Sequence, residues 1–295
     1  MIEIRSCIYR LFIQIAAAVF VVAAVSVVSV MAQESVDLVS GTRTDASIAS
    51  TERKSPAPPP ASSSNWTGFY IGGYAGVGIG RASANTSTVF SSTGYFATTS
   101  VPAVAAAGTQ RIKPRGFAGG GTIGYNHQSG NFVIGAEADF GSLNLKKTVA
   151  STATYPCCAP TNFTVTQSVK TRWLFTVRPR VGVTAGKALF YATGGLALTD
   201  LNYQALFTDT FATAHENGGF SKTKAGWTGG AGAEFKIGSR WSAKGEYLFT
   251  DFRRSSVTST NLTAFSPSMP FASNTFTHST DLKVHNVRFG INYHF

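Results

Sequence analysis

Counting back from Phe295, every second position is apolar or aromatic: Phe295, Tyr293, Ile291, Phe289 and Val287. Between them lie His294, Asn292, Gly290, Arg288 and Asn286. A period of two sends successive side chains to opposite faces, so this segment predicts a strand with one greasy and one wet face. The greasy face ends on an aromatic residue and calls for an apolar solvent around it. A bilayer supplies that solvent, and the alternation then reads lipid-out and lumen-in.

Eight segments show the same alternation: 66–82, 114–128, 131–146, 167–185, 188–205, 222–237, 240–254 and 281–295. Their connections alternate in length. Residues 83–113, 147–166, 206–221 and 255–280 make long links, whereas Ser129-Gly130, Gly186-Lys187 and Gly238-Ser239 make very short ones. Each short link contains a glycine, as a two-residue hairpin needs for positive φ. The rhythm predicts an all-β fold, an eight-stranded antiparallel up-and-down transmembrane β-barrel with reaching loops at one end and tight turns at the other.

The two faces recur from strand to strand. Phe175, Val177, Val181 and Val183 oppose Arg172, Thr176, Arg178 and Arg180 on the fourth segment. Pro179 shares the apolar phase and, lacking a ladder donor, is expected to mark a bulge. Elsewhere Glu137 and Asp139 oppose Phe132, Ile134 and Phe140; Glu234 opposes Trp227 and Phe235; Lys244 and Glu246 oppose Trp241 and Tyr247. A soluble barrel would turn its apolar face inward, and alternation alone does not separate the two cases. Two features favour a lipid-facing exterior. Aromatic residues crowd the strand ends (Trp66, Phe132, Trp173, Trp227, Phe235, Trp241, Tyr293 and Phe295), as girdles at the two membrane interfaces should. The polar face also carries both signs of charge. The interior of eight strands is only wide enough for side chains. There Glu137, Asp139, Glu234 and Glu246 would meet Arg178, Arg180, Lys244 and Arg288 as a lumen charge network, because an unpaired buried charge costs several kcal/mol.

Before the barrel, Arg5 and Arg10 precede an apolar run from Leu11 to Met31, and Val30-Met31-Ala32 suits a signal peptidase. Residues 1–32 are expected to be a signal peptide; the run is also long enough for a membrane anchor. Residues 33–64, with Pro56-Ala-Pro-Pro-Pro60, show no apolar period and read as a disordered periplasmic spacer, leaving 65–295 for the barrel. The net charge is +11, yet charged residues make up only 13% of the chain, with no dense basic run. That argues against a nucleic-acid partner. A basic surface opposite anionic lipopolysaccharide is an expectation. Cys157 and Cys158 are adjacent in a long link and could pair with each other, pair with another molecule or stay reduced.

Asn65-Trp-Thr-Gly-Phe-Tyr-Ile-Gly-Gly-Tyr-Ala-Gly-Val-Gly-Ile-Gly80 resembles the opening strand of the small surface-antigen barrels of alphaproteobacterial outer membranes, the outer membrane immunogenic or porin family proteins. Gly116–Tyr125, Leu189–Ala197, Gly226–Glu234 and Lys244–Phe249 carry further matches in the same order, and the outer loops do not. The resemblance implies outer-membrane lipid and lipopolysaccharide as surroundings. It also implies insertion by the barrel-assembly machinery, with terminal Phe295 as part of the insertion signal. Some relatives are described as haem-binding or as porins, and no haem-ligand motif carries over by residue.

Candidate chemistry is sparse. His278-Ser279 superficially suggests a hydrolase pair, but a nucleophile needs a base in reach and an orienting group behind it. The plain reading of His278 is a solvated loop residue. His215 and His278, in separate outer loops, could together ligate haem iron. His294 alternates toward the lumen as a structural hydrogen-bonding residue. Gly72–Gly80 lacks the Gly-Lys-Ser/Thr ending of a phosphate loop, and its glycines are expected to leave room for lumen side chains. Loop aromatics such as Phe96, Tyr155, Phe163, Phe207 and Phe276 either stabilise strands that continue past the membrane or present an adhesive surface. The sequence thus predicts a non-enzymatic outer-membrane barrel without a cofactor, structural and surface-displaying, with host or envelope partners reached through its outer loops. A narrow channel or a haem or ligand receptor is the alternative.

Overall fold

A computed structural model describes residues 65–295. The signal peptide and spacer expected at 1–64 lie outside the described residues. Among the described residues there are fifteen strands and one helix. Eight strands close a ring: β1 (Gly68–Thr88), β3 (Arg115–Ser129), β4 (Phe132–Leu143), β7 (Trp173–Ala185), β8 (Ala188–Asp209), β9 (His215–Lys236), β10 (Trp241–Asp251) and β15 (Lys283–His294). All neighbours are antiparallel, and β15 pairs back onto β1, with Tyr70 opposite His294 and Arg81 opposite Lys283. Closure leaves no open edge, the condition for backbone to cross hydrocarbon.

The outward face supplies what hydrocarbon requires. Ile71 and Val77 of β1, Phe117 and Ile123 of β3, Ile134 and Phe140 of β4, and Phe289 and Ile291 of β15 all point out and are more than half exposed. On β1 this face runs from Phe69 to Ile79. At about 3.3 Å per residue and a tilt near 40°, that is roughly 25 Å along the membrane normal, the height of an outer-membrane apolar band.

Pro179 does not mark a bulge. Val177 pairs with Leu196 and Arg180 with Thr193, so the register is unchanged across the proline. Its carbonyl accepts a 2.9 Å bond from Thr193 Oγ1. The tight turns also divide. Gly130 and Gly186 adopt φ of +59° and +60°, as two-residue links need, whereas the third link runs from Ile237 to Arg240 and Gly238 has no positive φ.

Much of what the sequence presents as long loops is strand. β1, β8 and β9 run on past the lipid-facing band. Beside them stand β2 (Gln110–Ile112), β5 (Lys146–Thr154), β6 (Asn162–Lys170), β11 (Ser255–Ser259) and β14 (Phe276–Thr280). β5 and β6 form a hairpin whose second strand pairs with the outer half of β8. Two short strands, β12 (Thr263–Ala264) and β13 (Met269–Pro270), and helix α1 (Ser100–Gly108) complete the outer end. Phe96, Tyr155, Phe163, Phe207 and Phe276 are buried together there with Val104 of α1. These aromatics therefore pack the extension rather than coat it. Phe90, Phe211 and Phe265 remain exposed.

Candidate functional site

Period-two alternation on a closed ring sends one set of side chains to a common axis, and here that set is polar. Glu137, Asp139, Arg178, Arg180, Glu234, Lys244, Glu246 and Arg288 all lie in the lumen, none more than 4% exposed. Four carboxylates face four cations, so the set is formally neutral. Arg178 is central: its Nη2 donates to Glu137 Oε1 at 2.6 Å and Asp139 Oδ2 at 2.8 Å, and its Nη1 to Glu246 Oε1 at 3.2 Å. Arg288 faces it, with Nε 2.6 Å from Glu246 Oε2 and Nη1 2.9 Å from Asp139 Oδ1. Lys244 Nζ reaches Glu137 Oε2 at 2.7 Å. Arg180 donates from Nη1 to Glu234 Oε2 at 3.2 Å and from Nε to Asn126 Oδ1 at 2.7 Å.

Tyrosines fill what remains. Tyr70, Tyr74 and Tyr191 donate to Glu137, Asp139 and Glu246. The Arg288 guanidinium lies 4.3 Å over the Tyr74 ring, and Arg180 4.7 Å over Tyr70. Glycines opposite make the space. A Cβ at Gly76 would sit 2.1 Å from Val287 O and 2.9 Å from Arg288 Cβ, and one at Gly124 would sit 2.1 Å from the Tyr70 hydroxyl. The glycine-rich opening therefore makes room for the charge network and does not cradle an anion.

Four further layers lie above and below. At the periplasmic mouth Trp66, Val133, Leu189 and Tyr191 form a small apolar cluster. Trp66 is fully buried, so it belongs to this closure and not to the lipid-facing girdle expected from the sequence. His294 meets its ring edge-on at 5.6 Å and lies 3.2 Å from Glu234, a structural role. Outward of the charges, Ile112, Leu143, Leu145, Leu201, Phe252 and Leu282 fill the lumen with apolar side chains.

Above that plug is a polar layer the sequence reading missed. His278, expected in a solvated loop, is fully buried on β14. Its Nδ1 is 2.9 Å from Thr86 Oγ1, and its Nε2 is 3.1 Å from both Glu216 and Ser259. Glu216 and Ser259 also hydrogen-bond to each other. Gln167 Oε1 accepts from Thr86 and Tyr203. Serine and carboxylate meet the same imidazole nitrogen, and the other nitrogen faces the Thr86 hydroxyl and not a carboxylate, so the arrangement is not that of a serine–histidine–acid triad. With both ring nitrogens engaged, His278 presents no free nitrogen to iron, and His215 is not brought against it. The signal was weak but present, since Phe276, His278 and Thr280 alternate.

The outer cap closes the stack. Asp209 takes the hydroxyls of Tyr95 and Tyr155, the latter at 2.8 Å, and the backbone N–H of Ala214 at 2.8 Å. Burial, then the Asp209 carboxylate, pushes both phenols above the ordinary value of 10.0. A raised folded value means that this contribution is fully present below about pH 10 and lost above it, where only the unfolded chain ionises. Proteolysis within 90–100 and 206–214 should therefore accelerate as pH rises beyond 10. The Tyr95→Phe, Tyr155→Phe double variant should cleave faster at neutral pH and show less of that rise. Cys157 and Cys158 are joined in a disulfide at the tip of the β5–β6 hairpin, and Ser100 Oγ lies 3.6 Å from Cys157 Sγ.

A closed antiparallel ring with a greasy exterior, a neutral charged lumen and a packed outer extension defines a membrane-spanning β-barrel of the bacterial outer membrane. The chain belongs to the outer membrane protein beta-barrel domain family, whose model matches residues 20–295. It is 32% identical over 252 residues to the 31 kDa outer-membrane immunogenic protein of Brucella melitensis, covering 85% of this chain and 92% of that protein. Identity to the 25 kDa outer-membrane immunogenic protein of Brucella abortus is 27% over 204 residues, 68% of this chain and 74% of that one. Among solved structures, the outer membrane protein OprG of Pseudomonas aeruginosa aligns with a TM-score of 0.40 and 11% identity, over 78% of this chain and 97% of that one.

Proposed function

We propose that this outer-membrane barrel is a non-conducting, non-enzymatic element of the envelope that displays a rigid capped outer end. The observation that carries the reading is the succession of layers along the lumen. From the periplasm outward these are the Trp66 cluster, the neutral charge network, the apolar plug, the His278 layer and the aromatic cap. A conducting path would have to cross the apolar plug, where leucine, isoleucine and phenylalanine side chains offer an ion nothing to replace its hydration shell.

Its surroundings follow from the same reading. Lipid covers the outward face, and the barrel-assembly machinery reads Phe295, which is exposed and anchored by its N–H to Phe69 O at 3.0 Å. Host or envelope partners meet the outer end, where Phe211, Phe265 and Met269 remain uncovered.

In planar bilayers, the refolded full chain is expected to give no steady conductance above leak. A stable ohmic level in most insertions would overturn the reading.

A further inference from the structure

A row of like charges crosses three neighbouring strands just beyond the lipid-facing band. Arg115 of β3 is paired in register with Lys146 of β5, and Lys146 with Lys170 of β6. All three are exposed, on the outward face of their strands. Cross-strand partners lie about 5 Å apart, so three cations share a span of roughly 10 Å, where like charges directly opposite are unfavourable. Guarding a sheet edge does not explain the row: Lys170 stands on β6, which pairs with β5 on one side and β8 on the other, and Lys146 sits at the one position where β5, otherwise open on that side, pairs with β3.

The described carboxylates are engaged elsewhere. Arg172 holds Asp200 at 2.6 Å, Lys283 lies 3.8 Å from Asp251, two tyrosines take Asp209, and Asp281 accepts the Ser83 N–H. Glu216 and the other four are buried inside the barrel. The three cations thus have no acidic partner among the described residues. Their height is specific: Arg115 stands two residues beyond lipid-facing Phe117, and Lys170 three residues before Trp173. An aromatic ring marks the interface, and the next shell outward is the headgroup layer.

Taking the outer-membrane reading as its basis, we infer that Arg115, Lys146 and Lys170 form a binding site for the phosphate groups of an outer-leaflet glycolipid. Two phosphates on one sugar core would meet three cations at charge-assisted hydrogen-bond distance, with the guanidinium offering a planar fork and the ammoniums point charges. The site would give the barrel a fixed lipid neighbour on its β3–β5–β6 side.

The test uses the full chain in nanodiscs carrying lipid A with two phosphates, one phosphate or none, with bound lipid counted by native mass spectrometry. The Arg115→Gln, Lys146→Gln, Lys170→Gln variant is expected to retain the bisphosphorylated lipid roughly tenfold or more weakly. A control that removes as much charge elsewhere, Lys222→Gln, Lys224→Gln, Arg254→Gln, should stay within about twofold. Wild-type retention should fall with each phosphate removed and with added salt. Equal retention of the phosphate-free lipid, or equal loss in the control, would overturn the site, as would complete displacement by millimolar inorganic phosphate. Heat-modifiable mobility and absence of conductance in every variant keep this outcome separate from a failure of the barrel reading.

Discussion

Arg288→Met is expected to lower barrel stability by about 3–5 kcal/mol, because it strands buried charge. Arg288 is 1% exposed and supports Glu246 and Asp139 together, with Tyr74 beneath it. Methionine fills much of the volume but leaves four carboxylates against three cations in a lumen that bulk water does not solvate. Urea titration in lipid vesicles, followed by tryptophan fluorescence, measures the cost. The companion variant Arg288→Met, Glu246→Gln restores neutrality and should recover a substantial part of it. A single variant within 0.5 kcal/mol of wild type, or a double variant worse than the single, would show that pairing does not hold this lumen together.

Phe289→Arg should cost about 2–4 kcal/mol, as expected for a charge facing lipid at the bilayer midplane. Phe289 is 70% exposed and lies opposite Ala75, near the middle of the Phe69–Ile79 band. The same change at Phe69, at the periplasmic rim, should cost no more than about 1 kcal/mol, since the penalty fades toward the interface. The same vesicle titration resolves the pair. Equal costs at the two depths would mean that Phe289 does not see hydrocarbon.

Alternation carried most of the fold. It placed the eight ring strands, their faces and the eight lumen charges, because each is a local consequence of a two-residue period. It also contained the correct position of Trp66, which shares its phase with Tyr70 and Tyr74. The preference of tryptophan for interfaces hid that signal. The polar layer was harder to see. His278, Glu216, Thr86 and Gln167 come from four strands far apart in sequence, and their meeting depends on register in an extension whose Ser/Thr-rich stretches read as loop. Threonine is also a strand former, and in the extension these stretches are strand. Pro179 misled in the other direction, since a missing donor breaks one rung without shifting register. The adjacent cysteines carried no sign of their redox state at all.

The orientation of the wall, with hydrocarbon on the phenylalanine side and charge within, is tested most directly by spin labels placed singly at 284–293 on β15 in liposomes. Labels at 287, 289 and 291 should show high collision rates with dissolved oxygen and low rates with a water-soluble nickel chelate. Labels at 286, 290 and 292 should be immobilised and shielded from both. The opposite phase, with the 286, 290 and 292 labels open to oxygen and the others enclosed, would contradict the account.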